Sequence, residues 1–454
     1  MSFSLEEVRF LADHTDEIAH TATDAGIQLT AASAISDRDK LSALFGDKAR
    51  AVMELLRARR TLAPKLVSPA HLVPGAPEPP GAGTQADRAD RADRAASGGD
   101  VAAAWLADSD SAQQATPLAV SQVRAERIAA AGVALVHDVT CSIGTESPAM
   151  TAAGMDWLGS DVDYPRLLMA RENVANVGNV CDVGNVGTGA ARGRARAWVA
   201  QADALAPVTT AASSPGPRIR ACSGTGSRPG RVIVADPARR ADGRRITDPA
   251  KLIPPLPDLL AAYPGAAMAV KCAPGIDYSE WQGLVSVVSV DGGVKEACLY
   301  TSDLAEPGHT REAVVIREEF TERVRDGGGE VGVDKPKSFI VEPDGAVIRA
   351  GLVQQWAARH DLSMLDPHIA FLTGDAVPPG YSGFPFIEAV PLKKLRPALQ
   401  AHGAGAVEIL VRGVNVDPDQ LRRKLKLKGD RPMGVAIARV GDSATAFICG
   451  ARVR

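Results

Sequence analysis

Four short apolar runs in the middle of the chain each end at an aspartate. They are Val133 to His137 before Asp138, Trp157 to Asp161, Trp198 to Ala202 before Asp203, and Arg231 to Asp236. Helical spacing flanks two of them: "ATPLAVSQVRAERIAAAG" precedes the first run and "YPRLLMARENV" follows the second. Thr116 is the expected cap of the former, with Pro117 at its first helical position. A fifth run, Ala267 to Lys271, leads into "LVSVVSVDGGVKEACLYTS", which reads as a hairpin around Asp-Gly-Gly. Strand alternating with helix predicts an α/β fold, a mostly parallel sheet covered on both faces and closed by an antiparallel hairpin.

In such a sheet, ligands bind beyond the carboxyl ends of the strands. Asp138, Cys141, Ser142 and Gly144 of "VALVHDVTCSIGTES" occupy that place after the first strand. Their small side chains let a ligand approach the backbone. The stretch is not GxGxxG, so a pyrophosphate-binding dinucleotide site is poorly supported. Asp161 stands 17 residues after Gly144, where a carboxylate can accept both ribose hydroxyl hydrogens. Asp203 ends the third run. These acids suit a neutral or cationic nucleoside, although solvated acids in tight turns remain the competing reading. Lys271, at a strand end, is either an electrostatic aid or a surface lysine. His137 reads as a packed, hydrogen-bonded histidine. No HExxH or other metal spacing exists among the eight histidines, so no metal is expected.

With 454 residues the chain exceeds one ordinary domain. Residues 1–67 read as a helical lobe, with Ser4 and Glu7 as a capping box, Ser36 as a second cap, and Leu41, Val52 and Leu55 on the apolar stripe. Residues 68–100, rich in Pro, Gly and Ala with a three-fold ADR repeat, read as a flexible linker. Six scattered cysteines without CxxC pairs predict thiols in a cytoplasmic protein. A charged N-terminus without an apolar h-region predicts no signal peptide, and no apolar run is long enough to predict a membrane span. From Gly380 to Arg454 there are 13 Lys/Arg against 6 Asp/Glu, a net +7 in a chain of net −3. Arg422, Arg423, Lys424, Lys426 and Lys428 crowd one predicted helix there. Such a cluster is either a solvated face or a nucleic-acid contact.

"DVTCSIGTE", "GSDVDYPRLLMARENV", "ADAL" and "VADPAR", in that order, resemble motifs I to IV of class I S-adenosylmethionine-dependent methyltransferases. "ADPARRADGRR", "PPLPDLL", "VKCAPGID", "EPDGAVIRAG" and "LRRKLKLKGDRPMGVAIAR" resemble more closely an actinobacterial family of such enzymes with a C-terminal THUMP-like domain. The resemblance covers roughly residues 105 to 454. It implies a Rossmann-like seven-stranded methyltransferase sheet at 101–310, a ferredoxin-like segment at 311–383 and a THUMP-like domain at 384–454. It implies S-adenosyl-L-methionine as cofactor. Asp138, Cys141 and Gly144 would lie at its methionine end, Asp161 at the ribose and Asp203 at the adenine. Asp236, Pro237 and Arg239 of "DPAR" would sit beside the transferred methyl. Ala238 and Arg239 depart from the amino-methylating pattern, which puts a base amine in doubt as acceptor. Cys141 and Cys272 are not at the motif IV position, so direct transfer is expected rather than a covalent intermediate. THUMP domains bind RNA, which makes structured RNA, tRNA or rRNA, the expected partner. A small-molecule methyltransferase and a non-catalytic RNA-binding protein with a decayed pocket are the alternatives.

Overall fold

The computed structural model describes residues 3–72, 101–180, 195–209, 230–238, 240–241 and 244–454. The ADR repeat, most of the expected linker and Arg239 lie outside the described residues. The chain forms two compact units, one built mainly from residues up to 285 with 295–306, the other from 286–294, 307–317 and 321–454.

The first unit opens with helices α1 (Leu5–Asp13), α2 (Thr15–Asp24), α3 (Ala34–Phe45) and α4 (Ala49–Leu62). The Ser4 hydroxyl accepts from the Glu7 N–H and the Glu7 carboxylate from the Ser4 N–H, so the capping box is present. Ser36 is not a cap. The helix begins earlier, after Ser33, because the Asp37 carboxylate accepts from the Leu29 N–H and the Ser33 hydroxyl and ties down the approach. Val8, Leu11, Ile18, Leu41, Val52 and Leu55 pack with Trp105, Leu106, Ile143 and Met169 in one core. The helical lobe is therefore continuous with the turn that carries Gly144.

After α5 (Ser109–Gln114) and α6 (Leu118–Ala130) come β1 (Leu135–Asp138), α7 (Ser147–Ala152), β2 (Asp156–Asp161), α8 (Tyr164–Val180), β3 (Ala197–Gln201) and β4 (Arg231–Ala235). A ribbon, β5 (Arg240–Ala241) and β6 (Arg244–Arg245), and α9 (Leu256–Ala262) precede β7 (Ala267–Cys272). Strands β3, β2, β1, β4 and β7 lie side by side in that order, all parallel, and β9 (Gly293–Tyr300) runs antiparallel beside β7. Its hairpin partner β8 (Leu284–Val290) is the seventh strand of a sheet that counts nine, two more than expected. Asp291 and Gly292 form the turn with φ of 49° and 79°, the left-handed pair that a two-residue hairpin demands. Every residue of β7 is buried, as a strand covered on both faces must be. Helix α6 starts one residue later than expected, with Pro117 as its cap, and Thr116 is spent elsewhere.

In the second unit β10 (Arg311–Ile316) pairs with β11 (Thr321–Arg325). A separate seven-stranded sheet follows. Its strands are β12 (Phe339–Val341), β13 (Ser363–Asp366), β14 (Ile369–Gly374), β15 (Gly383–Pro391), β16 (Ala404–Arg412), β17 (Arg431–Val440) and β18 (Ser443–Gly450). They run in the order β13-β14-β12-β15-β18-β17-β16. Helices α10 (Gly345–Ala350), α11 (Val353–Arg359), α12 (Leu395–Ala401) and α13 (Pro418–Leu425) complete this unit. Strand β15 pairs with β12 on one side and β18 on the other, so strands from both sides of residue 383 share one sheet.

Candidate active site

The turn after β1 is built from backbone. Cys141 N–H donates to the Ser160 carbonyl at 3.0 Å, and Gly144 N–H to the Cys141 carbonyl at 2.8 Å. Ser142 and Gly144 both have left-handed backbones, φ 49° and 81°, which glycine adopts freely and serine only at a cost. The Cys141 side chain is buried in the core, its thiol 3.8 Å from the Ser142 carbonyl of the turn. Asp161, at the end of β2, accepts the Ser142 N–H on one oxygen and the Asp163 N–H on the other, both at 2.9 Å. The acid and the turn are thereby locked together, while each oxygen keeps acceptor capacity for a hydroxyl. Asp203 lies exposed just beyond β3, its carboxylate accepting the Leu205 N–H at 2.8 Å.

Thr140 joins the ends of β1 and β4. Its N–H donates to the Asp138 carboxylate at 3.2 Å, and its hydroxyl oxygen accepts the Asp236 N–H at 2.6 Å. Asp138, Gly144, Asp161 and Asp236 therefore gather at the carboxyl ends of adjacent parallel strands. Pro237 is buried, and the Ala238 N–H donates to the Ile253 carbonyl at 2.7 Å, which turns the chain away from the sheet.

Behind these residues lies a set of buried charges. Lys271 is 4% exposed and is not a surface lysine. Its ammonium meets the Asp236 carboxylate at 2.8 Å, the Glu146 carboxylate at 3.1 Å and the Thr116 hydroxyl. Arg124 donates to both Glu146 oxygens at 3.2 and 3.3 Å and pairs with Glu296 at 2.7 Å. Burial opposes the Lys271 charge, but Asp236 and Glu146 hold its pKa above the ordinary lysine value. Burial likewise opposes the Glu146 charge, and Arg124 and Lys271 hold its pKa down at about 2. Asp138 is different: burial pushes it up to about 7, against the pull of Lys271 and with Glu146 and Asp236 adding to the rise. Thr140, Glu146, Arg124 and Glu296 were not singled out from sequence. The available signal was Lys271 itself, a cation inside an apolar run that a doubly covered strand must bury.

His137 is fully buried between the Thr209 hydroxyl (2.8 Å) and the Ser160 hydroxyl (3.0 Å). Burial, then Arg231, lowers its pKa to about 4, so it is a neutral packing residue.

In the second unit, Arg422, Arg423 and Lys424 on α13, with Lys426 and Lys428 just after it, are all exposed. Leu425 anchors the helix in the core beneath, with Leu421 and Leu427 packed beside it. Arg422 is partly committed, donating to the Val407 carbonyl at 3.2 Å and to Asp419.

Residues 382–451 match the family model described as THUMP domain-like. Two relatives from Mycobacterium tuberculosis, strains CDC 1551 / Oshkosh and ATCC 25618 / H37Rv, are each 41% identical over 364 residues, 76% of this chain and 88% of the relative. Both bear the name uncharacterized S-adenosylmethionine-dependent methyltransferase. The crystal structure of a Porphyromonas gingivalis W83 protein described as a methyltransferase has a TM-score of 0.53 to this chain at 16% identity. The match covers 87% of this chain and 97% of that one, a likeness of fold.

Proposed function

The chain belongs to the family of these S-adenosylmethionine-dependent methyltransferases, and from that premise we propose that its acceptor is structured RNA, of the tRNA or rRNA kind. The observation that carries this reading is the exposed row Arg422, Arg423, Lys424, Lys426 and Lys428 within the THUMP domain-like segment. Fixed cations held outward by an anchored helix displace counterions from a phosphate backbone, which makes binding fall steeply with salt. Filter retention of total RNA by the full chain tests it. Replacing Arg423, Lys424, Lys426 and Lys428 by serine is expected to reduce the log–log salt slope by about 3, at ~0.7–0.9 per phosphate contact. Equal slopes for both proteins would favour a small-molecule acceptor. Nucleoside mass spectrometry of cells with and without the gene then names the modified base or sugar. Among the described residues no helix is long and apolar enough to cross a membrane. We place the chain in the cytoplasm on its free thiols Cys141, Cys272, Cys298 and Cys449.

We read these strand ends as the seat of the sulfonium nucleoside. A buried carboxylate that resists ionisation, Asp138, is a place for a cation, and the Ser142 to Gly144 turn brings backbone rather than bulk to the ligand. In our reading Asp138 and the turn hold the methionine end, Asp161 the ribose and Asp203 the adenine, while Asp236 and Pro237 face the acceptor. The cofactor supplies an activated methyl group. The chain supplies alignment, which for well-oriented reactants is worth ~7–11 kcal/mol. Asp161→Ala is expected to weaken cofactor affinity by about 1–3 kcal/mol, because the Ser142 N–H also loses its partner. Calorimetry with S-adenosylmethionine reads this directly, and an unchanged affinity would displace the ribose from Asp161.

A further inference from the structure

We propose that Lys271 is a positioning residue for methyl transfer, fixing the Asp236 carboxylate so that it receives an acceptor bearing its own O–H or N–H. This rests on the reading that Asp236 faces the acceptor.

An ammonium has three hydrogens to donate, and Lys271 has three acceptors around it: Asp236, Glu146 and the Thr116 hydroxyl. With its donors engaged and its side chain buried, Lys271 acts through Asp236 rather than on a substrate. Behind it the charges alternate, from Glu146 to Arg124 to Glu296, on the turn before α7, on α6 and on β9. Asp138 of β1 faces the same enclave. An apolar core of the same volume can replace such a set at no loss of stability, so packing alone gives no reason for it. Its geometry does. The side chains of Lys271, Glu146, Arg124 and Glu296 are all at most 5% exposed, whereas that of Asp236 is 24% exposed. The relay has one outlet.

A carboxylate held by an ammonium is a hydrogen-bond acceptor and nothing else. Its partner must carry a hydrogen, so a hydroxyl or an amino group fits, while a ring nitrogen lone pair or a ring carbon presents none. In the reaction the acceptor's lone pair attacks the methyl carbon, and the carbon–sulfur bond breaks with its electrons going to sulfur. A new O–CH3 or N–CH3 bond forms, and the acceptor's proton passes to Asp236 and then to water. A carbon acceptor would also call for a reachable thiol, and among the described residues Cys141, Cys272, Cys298 and Cys449 are all buried.

The test uses the full chain, total RNA from cells lacking the gene as acceptor probe, and Lys271→Met. Carboxylate 13C NMR of the cofactor-free protein, assigned with Asp236→Asn, should show the Asp236 midpoint rising by at least about one pH unit. At pH 7, kcat should fall by about 100-fold, in the range of a lost acid–base partner, and the acid limb of its pH profile should move up. Because Lys271 also holds the Asp138 pKa down, kcat is read at saturating cofactor, and Lys271→Arg should restore part of it. Thr116→Val, which keeps both ion pairs, should give a smaller change of the same kind and serves if Lys271→Met does not fold. An unmoved Asp236 midpoint, or wild-type kcat in Lys271→Met beside an inactive Asp236→Asn, overturns the proposal alone. Full activity of Asp236→Asn overturns the reading beneath it. A methyl group found on a ring carbon, or on a ring nitrogen that carries no hydrogen in the unmodified base, overturns the acceptor class.

Discussion

Arg124→Met is expected to cost about 3–5 kcal/mol of folding stability, the scale for removing one partner of a buried ion pair. Arg124 is 1% exposed and serves two carboxylates that are themselves buried, Glu146 and Glu296. Methionine fills most of the volume, so the loss is electrostatic. Glu146 keeps Lys271, but Glu296 is left as a buried acid without its guanidinium. The sign of the pH dependence follows from Glu146. Its folded pKa is depressed to about 2, by Arg124 first and then Lys271 against the penalty of burial. A depressed carboxyl contributes stability that is present above its unfolded value, near 4.5, and is lost as pH falls toward 2. The difference between wild type and Arg124→Met should therefore be full at pH 7 and shrink below about pH 4.5. Denaturant unfolding at several pH values measures it. A loss under about 1 kcal/mol at pH 7 would mean that water reaches these acids and that the enclave is not dry.

The places of the strands along the chain were readable because they depend on local pattern. Apolar runs ending at Asp138, Asp161 and Asp236 set three parallel strands, and Asp-Gly at 291–292 set the hairpin. The acids of the crevice were readable for the same reason, since position at a strand end is a property of sequence. The charges behind them were not. Arg124 sits in "SQVRAERIAAA", where it looks no different from Arg127 or Glu126, and only the packing of α6 decides which of them is buried. Glu146 follows Gly144 by two residues and reads as a loop acid. Thr116 has the chemistry of a helix cap, and it loses that role because Lys271, 155 residues away, claims its hydroxyl. Ser36 failed as a cap through a similar competition, won by Asp37 in binding the preceding loop. Long-range pairings of this kind leave no periodic trace, which is why the acids at the strand ends were legible and the charges behind them were not.

The affinity for S-adenosylmethionine is expected to rise about tenfold per pH unit between pH 5 and pH 7, because in our placement of the cofactor Asp138 must give up a proton to pair with the methionine ammonium. Burial sets the Asp138 pKa near 7, with Lys271 pulling it down and Glu146 and Asp236 pushing it up. Below that value the protein without ligand holds a neutral carboxylic acid there. A bound cation favours the carboxylate, so the complex carries fewer protons than the separated partners, and binding strengthens as pH rises. Above about pH 8 the ammonium itself begins to deprotonate, at the usual α-amino value of ~7.7–8.0, and affinity should decline again. The optimum then lies between about 7 and 8, and binding at pH 5 should be on the order of 100-fold weaker. Calorimetry in buffers of different ionisation enthalpy counts the released proton independently of the affinity. Asp138→Asn should bind more weakly at pH 7.5, release no proton, and lose the slope below pH 7. A wild-type profile that is flat from pH 5 to 7 would place the cation away from Asp138, and with it the methionine end of the cofactor.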